Sequence, residues 1–462
     1  MTNLEVNKIF FLGIGGIGMS AIARYFLQQG KTVYGYDKTP SPLTDKLIEE
    51  GAVITFSDEI KSLDNHFTSA DKDEVLVVYT PAIPKSSELF QFFTNEGYRF
   101  FKRSQVLGWI SQNIPTIAVA GTHGKTTTSS LISHVLNVAG VSFSAFLGGI
   151  ANNFGSNYVL NEDPKWLVVE ADEFDRSFLT LHPQIAVITS ADADHLDIYG
   201  DEQEFLNGFR SFVNQIQPNG KLIIHQPAYE TLGLNRPALT YCIKCNAMVN
   251  AIEVMPSDGM FQFSIVQGQD ERQFAIALPG IHNVQNAMAA FLVAKQLGIS
   301  DQLISKAFMS FTGVDRRFHY HVKTRGQVYI DDYAHHPSEI NAVRESLRLM
   351  YPERKITAIF QPHLFTRTRD FMDGFAQSLE EFDEIYLLDI YPARELPING
   401  ITSAVLLKKI KNAQKFLVSK EDLVPRLAKA ETDIVVTLGA GDIDRLVQPV
   451  KEILKDKVAR RD

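Results

Sequence analysis

The sequence predicts an α/β protein of three domains, at residues 1–113, 114–323 and 324–462. Three observations point there. Apolar strand-like runs alternate with helical periodicity through most of the chain, the pattern of mostly parallel sheets joined by crossover helices. Two of those runs, ending at Leu12 and Ala120, pass directly into glycine turns that open helices. A chain of 462 residues also exceeds what one hydrophobic core supports, because cores stop growing beyond about 250–300 residues.

The first domain opens with the strand Lys8-Ile9-Phe10-Phe11-Leu12, then Gly13-Ile14-Gly15-Gly16-Ile17-Gly18-Met19, then a helix predicted over Ser20–Gln29. A Gly-x-Gly-x-x-Gly turn lets backbone N–H groups close on a pyrophosphate at the positive end of the helix. Gly13, Gly15, Gly16 and Gly18, with Met19 and Ser20 behind them, are the candidates for that cradle. A second strand, Thr32–Tyr36, ends in Asp37 about 20 residues on, where a carboxylate reaches a ribose hydroxyl. The strand Val75–Tyr79 places Thr80 and Pro81 at its carboxyl end, and a helix is predicted near Ser104–Ser111. This is a Rossmann-like domain. Its glycines do not choose between NAD and another nucleoside diphosphate, since both present a pyrophosphate.

The second domain begins after the joint Gln112-Asn113-Ile114-Pro115. The strand Ile117–Ala120 runs into Gly121-Thr122-His123-Gly124-Lys125-Thr126-Thr127-Thr128 and then an amphipathic run to Leu136. The order strand, glycine loop, Gly-Lys-Thr, helix is that of a phosphate-binding P-loop, shortened because Val119 stands where the general pattern has its first glycine. Backbone N–H groups and the helix dipole face the phosphates, Lys125 supplies a mobile charge and Thr126 a metal-binding hydroxyl. Two further strands end in acids: Trp166–Val169 leads to Glu170, and Ile185–Ile188 leads to Asp192-Ala193-Asp194-His195. Ligands of open parallel sheets lie outside the carboxyl ends, so Glu170 and His195 fall where the magnesium ion of ATP would sit. The acids Asp172, Glu173, Asp175 and Asp192 read more simply as helix caps. Short strands follow from Lys221 to Ala277, and His282-Asn283-Val284-Gln285-Asn286 opens a helix, either as caps or toward an adenine edge.

Arg316-Arg317-Phe318 closes this P-loop ATPase-like α/β domain. The third, Rossmann-like, is a βαβ series with strands near Val328–Ile330, Ile356–Phe360, Ile385–Leu388, Lys415–Val418 and Ile434–Leu438. Their ends carry Asp331-Asp332-Tyr333-Ala334-His335-His336-Pro337, Gln361 to Arg369, Asp389 to Glu395 and Gly439 to Asp442. Four polar clusters on one rim are more than a stable sheet requires and mark a site.

Net charge −9 without a long basic run excludes a nucleic-acid partner. No apolar stretch approaches the roughly 18 residues of a membrane helix, and no basic-then-apolar leader precedes the first strand, so a cytoplasmic location with no membrane partner is expected. The two cysteines, Cys242 and Cys245, lack two further ligands at zinc spacing and are expected to be reduced and incidental. One domain for a nucleoside diphosphate, one for ATP and a polar third imply joining two molecules at the expense of ATP. Phosphorylating a carboxylate gives it a leaving group, charge on the phosphoryl oxygens being met by Mg²⁺, Lys125 and an arginine such as Arg317.

These motifs resemble the ATP-dependent Mur ligases of peptidoglycan synthesis over the whole chain. The marks are Gly-Ile-Gly-Gly-Ile-Gly-Met at 13–19, Gly-Thr-His-Gly-Lys-Thr-Thr-Thr at 121–128, Glu-Ala-Asp-Glu-Phe-Asp at 170–175, Asp-Ala-Asp-His-Leu-Asp at 192–197, Asp-Asp-Tyr-Ala-His-His-Pro at 331–337 and Asp-Ile-Tyr-Pro-Ala-Arg-Glu at 389–395. The resemblance implies a carboxylate–amine ligase acting on UDP-N-acetylmuramate, L-alanine and ATP with Mg²⁺, the first domain holding UDP and not NAD. It implies that Lys125 and Thr126 bind ATP and metal, Glu170 and His195 magnesium, and Asn283, Asn286, Arg317 and Asp332 ATP. It places Tyr333, His335 and Arg367 around the lactyl carboxylate and incoming alanine, with His335 among the catalytic residues. Ser190 and Leu364 depart from the family's usual asparagine and arginine. A recycling ligase that attaches a preformed tripeptide to the same nucleotide sugar is the near alternative. Asp-Arg-Ser-Phe at 175–178 and Pro-Ala-Arg-Glu at 392–395 favour the alanine reaction. A nicotinamide oxidoreductase or a nucleotide-binding regulator is the distant one, and monomer and dimer both stay open.

Overall fold

The computed structural model describes residues 6–64, 67, 71–192, 196–257, 259–393, 395–412 and 414–459. The first strands, β1 (Lys8–Leu12), β2 (Thr32–Tyr36), β3 (Val53–Thr55), β4 (Val75–Tyr79) and β5 (Arg99–Lys102), form a parallel sheet in the order β3-β2-β1-β4-β5. The order reverses at β1, so the crevice of this sheet opens at the carboxyl ends of β1 and β4, where Gly13 and Thr80 stand. The helix that follows β1 covers Ile17–Gln28, starting one turn earlier than its apolar periodicity suggested.

The next strands are β6 (Thr116–Ala120), β7 (Phe143–Ala151), β8 (Ser156–Val159), β9 (Trp166–Glu170), β10 (Ile185–Ile188), β11 (Lys221–His225) and β12 (Leu239–Ile243). They run in the order β12-β11-β10-β6-β9-β7-β8, parallel except for β8, which pairs antiparallel with β7. β6 is buried throughout and lies between β9 and β10, so the loop after it opens beside the acids that end those strands. Three strands follow, β13 (Val249–Ser257), β14 (Met260–Gln267) and β15 (Asp270–Ile276). The last sheet has the order β16-β17-β21-β18-β19-β20, from β16 (His319–Lys323), β17 (Val328–Asp332), β18 (Ile356–Phe360), β19 (Glu384–Leu387), β20 (Lys415–Leu417) and β21 (Ile434–Leu438). It is parallel apart from the edge strand β16.

The chain divides into two compact units, one of Met1–Ala251, Ile265–Glu271 and Asn286–Ser310, the other of Ile252–Ser264, Arg272–Gln285 and Phe311–Asp462. The first unit therefore contains both glycine loops. Within it one apolar cluster takes in Ile22 and Phe26 of the first helix together with Phe146 of β7 and Tyr158 of β8. At its centre is Asn157, fully buried on β8. Its amide donates to Ile17 O at 2.5 Å and Ser20 Oγ at 2.9 Å, and its Oδ1 accepts from Arg24 Nη1 at 2.5 Å.

The cysteine expectation is corrected. Cys242 and Cys245 form a disulfide, with Cα atoms 5.7 Å apart. Cys242 ends a buried stretch of β12, and Lys244 takes the left-handed φ of 61°, which folds residue 245 back to within bridging distance. Among the described residues no helix is long and apolar enough to cross a membrane.

Candidate active site

After β6, Gly121 at φ 132° and Gly124 at φ 80° turn the chain into the helix Lys125–Val138. A Cβ at position 121 would stand 2.8 Å from Ser190 N, and one at 124 would stand 2.6 Å from Asn286 Oδ1. Only glycine fits at either place. The loop is then tied to the end of β10. Thr189 Oγ1 donates to Ala120 O at 3.1 Å and also to His123 O, His123 N donates to Ser190 Oγ at 2.8 Å, and Thr122 Oγ1 donates to Asp192 O at 2.6 Å. The serine at 190 thus takes up a loop N–H itself. Thr126 and Thr127 are buried in the first helical turn, and Thr128 Oγ1 donates to Asn286 Oδ1 at 3.1 Å.

Lys125 Nζ donates to Gly121 O at 2.6 Å and Thr122 O at 3.3 Å, and pairs with Glu173 Oε1 at 2.8 Å. Burial disfavours its charge, but Glu173, Asp172 and Glu170 outweigh that and hold its pKa above the ordinary lysine value. Glu170 ends β9 in register with Val119 of β6, one strand from the loop, and its Oε2 accepts from Gly148 N at 3.0 Å. His195 lies outside the described residues, as does Arg394.

In the first sheet Gly13 takes φ 88°, and a Cβ there would stand 2.8 Å from Thr80 Cγ2. Gly15 N donates to Asp37 Oδ2 at 2.8 Å, and Thr39 N to Asp37 Oδ1 at 3.3 Å. The carboxylate expected to meet a ribose thus also braces the glycine turn. Gly16 caps the helix that begins at Ile17, while Met19 and Ser20 are buried, Ser20 Oγ donating to Ile17 O at 2.9 Å. Arg103, at the end of β5, packs against Gly18, and its Nη2 meets Asp172 Oδ2 at 3.2 Å.

In the second unit the turn Arg316-Arg317-Phe318 is tied to the end of β17. Arg316 and Phe318 take φ of 61° and 50°, a conformation that costs a non-glycine residue about 1–2 kcal/mol. Asp332 secures the turn, Oδ2 accepting from Phe318 N at 2.7 Å and Oδ1 from Ala334 N at 2.8 Å. Burial raises the Asp332 pKa to about 7 against the opposing pull of Arg317 and the two N–H groups. Arg317 lies over the Tyr333 ring at 4.9 Å. His335 Nδ1 is 2.9 Å from Tyr333 O, its ring stands edge-on to Tyr333 at 5.3 Å, and its N donates to Glu339 at 2.9 Å. A carbonyl only accepts, so Nδ1 carries a proton. Arg367 is buried and lies 3.5 Å from His363 Nδ1, while His363 stacks on Tyr391 at 5.7 Å. Tyr333, His335, His363 and Arg367 therefore gather at the ends of β17 and β18. Asn283, at the start of the helix Ile281–Gln296, donates to Pro279 O at 2.7 Å.

Sequence reasoning missed Arg103, Asn157 and Glu173. A single arginine at a strand end or a single asparagine in a strand carries no pattern, and Glu173 was absorbed among acids read as caps. Asp172 Oδ1 accepts from Phe174 N at 3.1 Å, but the residue at the N-cap of that short helix is Glu173, whose side chain makes no capping bond.

A glycine phosphate loop on a parallel sheet, a dinucleotide-type turn on another and a polar rim on a third define a nucleotide-binding α/β enzyme. The chain belongs to the Mur ligase family: residues 8–114 match its catalytic domain, 119–294 its middle domain and 316–441 its glutamate ligase domain. It is 46% identical to the UDP-N-acetylmuramate–L-alanine ligase of Flavobacterium johnsoniae, over 98% of this chain and 99% of the relative. Identity to the ligase of the same name from Cytophaga hutchinsonii is 45%, over 100% and 99%. The crystal structure of the UDP-N-acetylmuramate–alanine ligase of Thermotoga maritima superposes with a TM-score of 0.82 at 26% identity, covering 98% of this chain and 99% of that one. A murein peptide ligase from Psychrobacter arcticus shares the fold, with a TM-score of 0.70 at 22% identity over 97% and 98%.

Proposed function

We propose that this chain is an ATP-dependent ligase joining L-alanine to the lactyl carboxylate of UDP-N-acetylmuramate through an acyl phosphate, in the cytoplasmic synthesis of peptidoglycan precursors. The observation that carries this is the loop 121–128, where two glycines that admit no side chain set a lysine and a threonine at a helix start beside a strand ending in Glu170. The names of the full-length relatives supply the substrates. Residues 1–113 hold the UDP sugar on Gly13, Gly15, Gly16 and Gly18. Residues 114–323 hold ATP, and residues 324–462 contribute the groups around the carboxylate and alanine.

A carboxylate oxygen attacks the γ-phosphorus and ADP departs; the alanine nitrogen then attacks the acyl carbon, inorganic phosphate departs and the nitrogen loses a proton. Lys125 and Arg317 meet the charge that spreads over the phosphoryl oxygens. Stacking on Tyr333 keeps the guanidinium plane of Arg317 oriented. Arg367 offers a planar cation to a carboxylate, and His335 stands beside Tyr333 among the groups assigned to the carboxylate and the incoming amine. Magnesium takes oxygen ligands and keeps several waters, which fits the Thr126 hydroxyl and the Glu170 carboxylate; His195, a nitrogen donor outside the described residues, is added by the family resemblance alone, and when bound the ion would draw charge from the γ-phosphoryl group. Coupled phosphate release across L-alanine, glycine, L-serine and the stem tripeptide tests the proposal. Release that requires UDP-N-acetylmuramate and L-alanine together is expected, and release with the tripeptide alone would replace it by the recycling reaction.

A further inference from the structure

The loop lysine is engaged by groups of the protein itself. An ammonium has three protons, and Lys125 has three acceptors: Gly121 O, Thr122 O and Glu173 Oε1, at 2.6, 3.3 and 2.8 Å. The side chains of the ion pair are 14% and 1% exposed. Glu173 Oε2 is buried with no hydrogen-bond partner among the described residues, so Lys125 is the cation on which this carboxylate depends. Its mount is fixed, because the buried Tyr199 donates its hydroxyl to Glu173 O at 2.7 Å. A purely structural ion pair would satisfy both carboxylate oxygens and use a lysine from elsewhere; this one uses the lysine of the phosphate loop.

We infer that Glu173 is the resting counter-ion of Lys125 and competes with the outer phosphates of the nucleotide for its ammonium, thereby weakening nucleotide binding and promoting ADP release. This rests on the ATP-loop reading above. The physical reason is that a buried carboxylate deprived of the one cation that pairs with it among the described residues is strongly disfavoured. A nucleotide that draws Lys125 onto its phosphates must offset that loss and also the repulsion between its own charge and Glu173. When ADP leaves, the ion pair reforms.

The test is ADP titration by calorimetry on the full chain, in EDTA so that no metal contributes, for wild type, Glu173→Gln, Lys125→Ala and the double variant. Glutamine still accepts from Lys125 but carries no charge, so Glu173→Gln should bind ADP about 10-fold more tightly, within the usual range of site coupling. The gain should vanish in the Lys125→Ala background, which a double-mutant cycle reads directly. A general packing defect would weaken binding instead. Glu173→Asp, which withdraws the carboxylate by one methylene, should give a smaller gain in the same direction and serves if the glutamine variant does not fold. Unchanged or weaker affinity in the variants, or an equal gain with and without Lys125, overturns the inference while ADP binding by wild type leaves the ATP-loop reading standing. Absence of ADP binding by wild type removes that reading and the inference with it.

Discussion

Lys125 and Asp332 show how burial sets the chemistry of single residues. Lys125 keeps its charge in a buried place only because acids surround it. Replacing it by alanine leaves Glu173 without its partner and should cost about 3–5 kcal/mol of stability, and the folded variant should lose turnover by at least about 10²-fold, the scale of removing one preorganised charge stabiliser. Near-normal ligation by a folded Lys125→Ala protein would remove the ATP-loop assignment. Asp332 is the opposite case, a carboxyl whose pKa burial raises from 3.8 to about 7. Between those values the native state holds a proton that the unfolded chain has lost, so the stability linked to Asp332 is complete below about pH 4 and is lost as pH rises to about 7. Asp332→Asn cannot titrate. Its melting temperature relative to wild type should therefore climb steadily from pH 4.5 to 7.5 and then level off. A difference that stays flat across that range would mean that Asp332 is ionised throughout.

At the scale of elements, the two glycine turns differ in what surrounds them. Gly15 has Asp37 Oδ2 and Thr44 Cγ2 each 2.9 Å from where its Cβ would be, so Gly15→Val should push Asp37 off the turn and abolish UDP binding while leaving ADP binding intact. Titration of both nucleotides against the variant checks this. The first helix depends on Asn157, whose amide holds Ile17 O and Ser20 Oγ and whose Oδ1 holds Arg24. Removing it leaves a buried guanidinium N–H unpaired, so Asn157→Ala should cost about 2–4 kcal/mol in urea unfolding and weaken UDP binding as the helix start loosens. Loss of stability below about 0.5 kcal/mol would show that Asn157 is incidental. Strands such as Thr32–Tyr36, Val75–Tyr79, Ile356–Phe360 and Ile434–Leu438 were legible to the residue because short runs rich in β-branched, aromatic and leucine residues read as buried strands. The loop at 121–128 was legible because few sequences need glycine twice before Lys-Thr, and the turn at 13–18 because Gly-x-Gly-x-x-Gly stands between a strand and a helix. Asn157 and Glu173 were not, since a buried polar contact is made across about 130 or 50 positions of chain and leaves no local period. The disulfide was missed because it depends on one left-handed residue, Lys244.

For the whole molecule, the boundary expected near residue 113 falls inside one compact unit. Besides the Asn157 network, Thr180 Oγ1 donates to Ser104 O at 2.9 Å, and Arg103, which follows β5, pairs with Asp172, which follows β9, at 3.2 Å. An isolated fragment of residues 1–113 would lose these partners and expose Ile22 and Phe26, so the choice of nucleotide is better tested on the full chain. The glycine turn leaves UDP and NAD equal, because pyrophosphate at a helix start is common to both. Asp37 does not decide between them either, since its oxygens accept one N–H each, from Gly15 and Thr39, and keep room for a ribose hydroxyl. A ligand that binds only the folded chain stabilises it by about 2.7 kcal/mol at 100-fold over its Kd, which shifts the melting temperature of a unit this large by several degrees. UDP or UDP-N-acetylmuramate should produce that shift and NADH at equal concentration should not, and Gly15→Val should erase the UDP shift. A larger shift with NADH than with UDP would sink the ligase reading of the first segment.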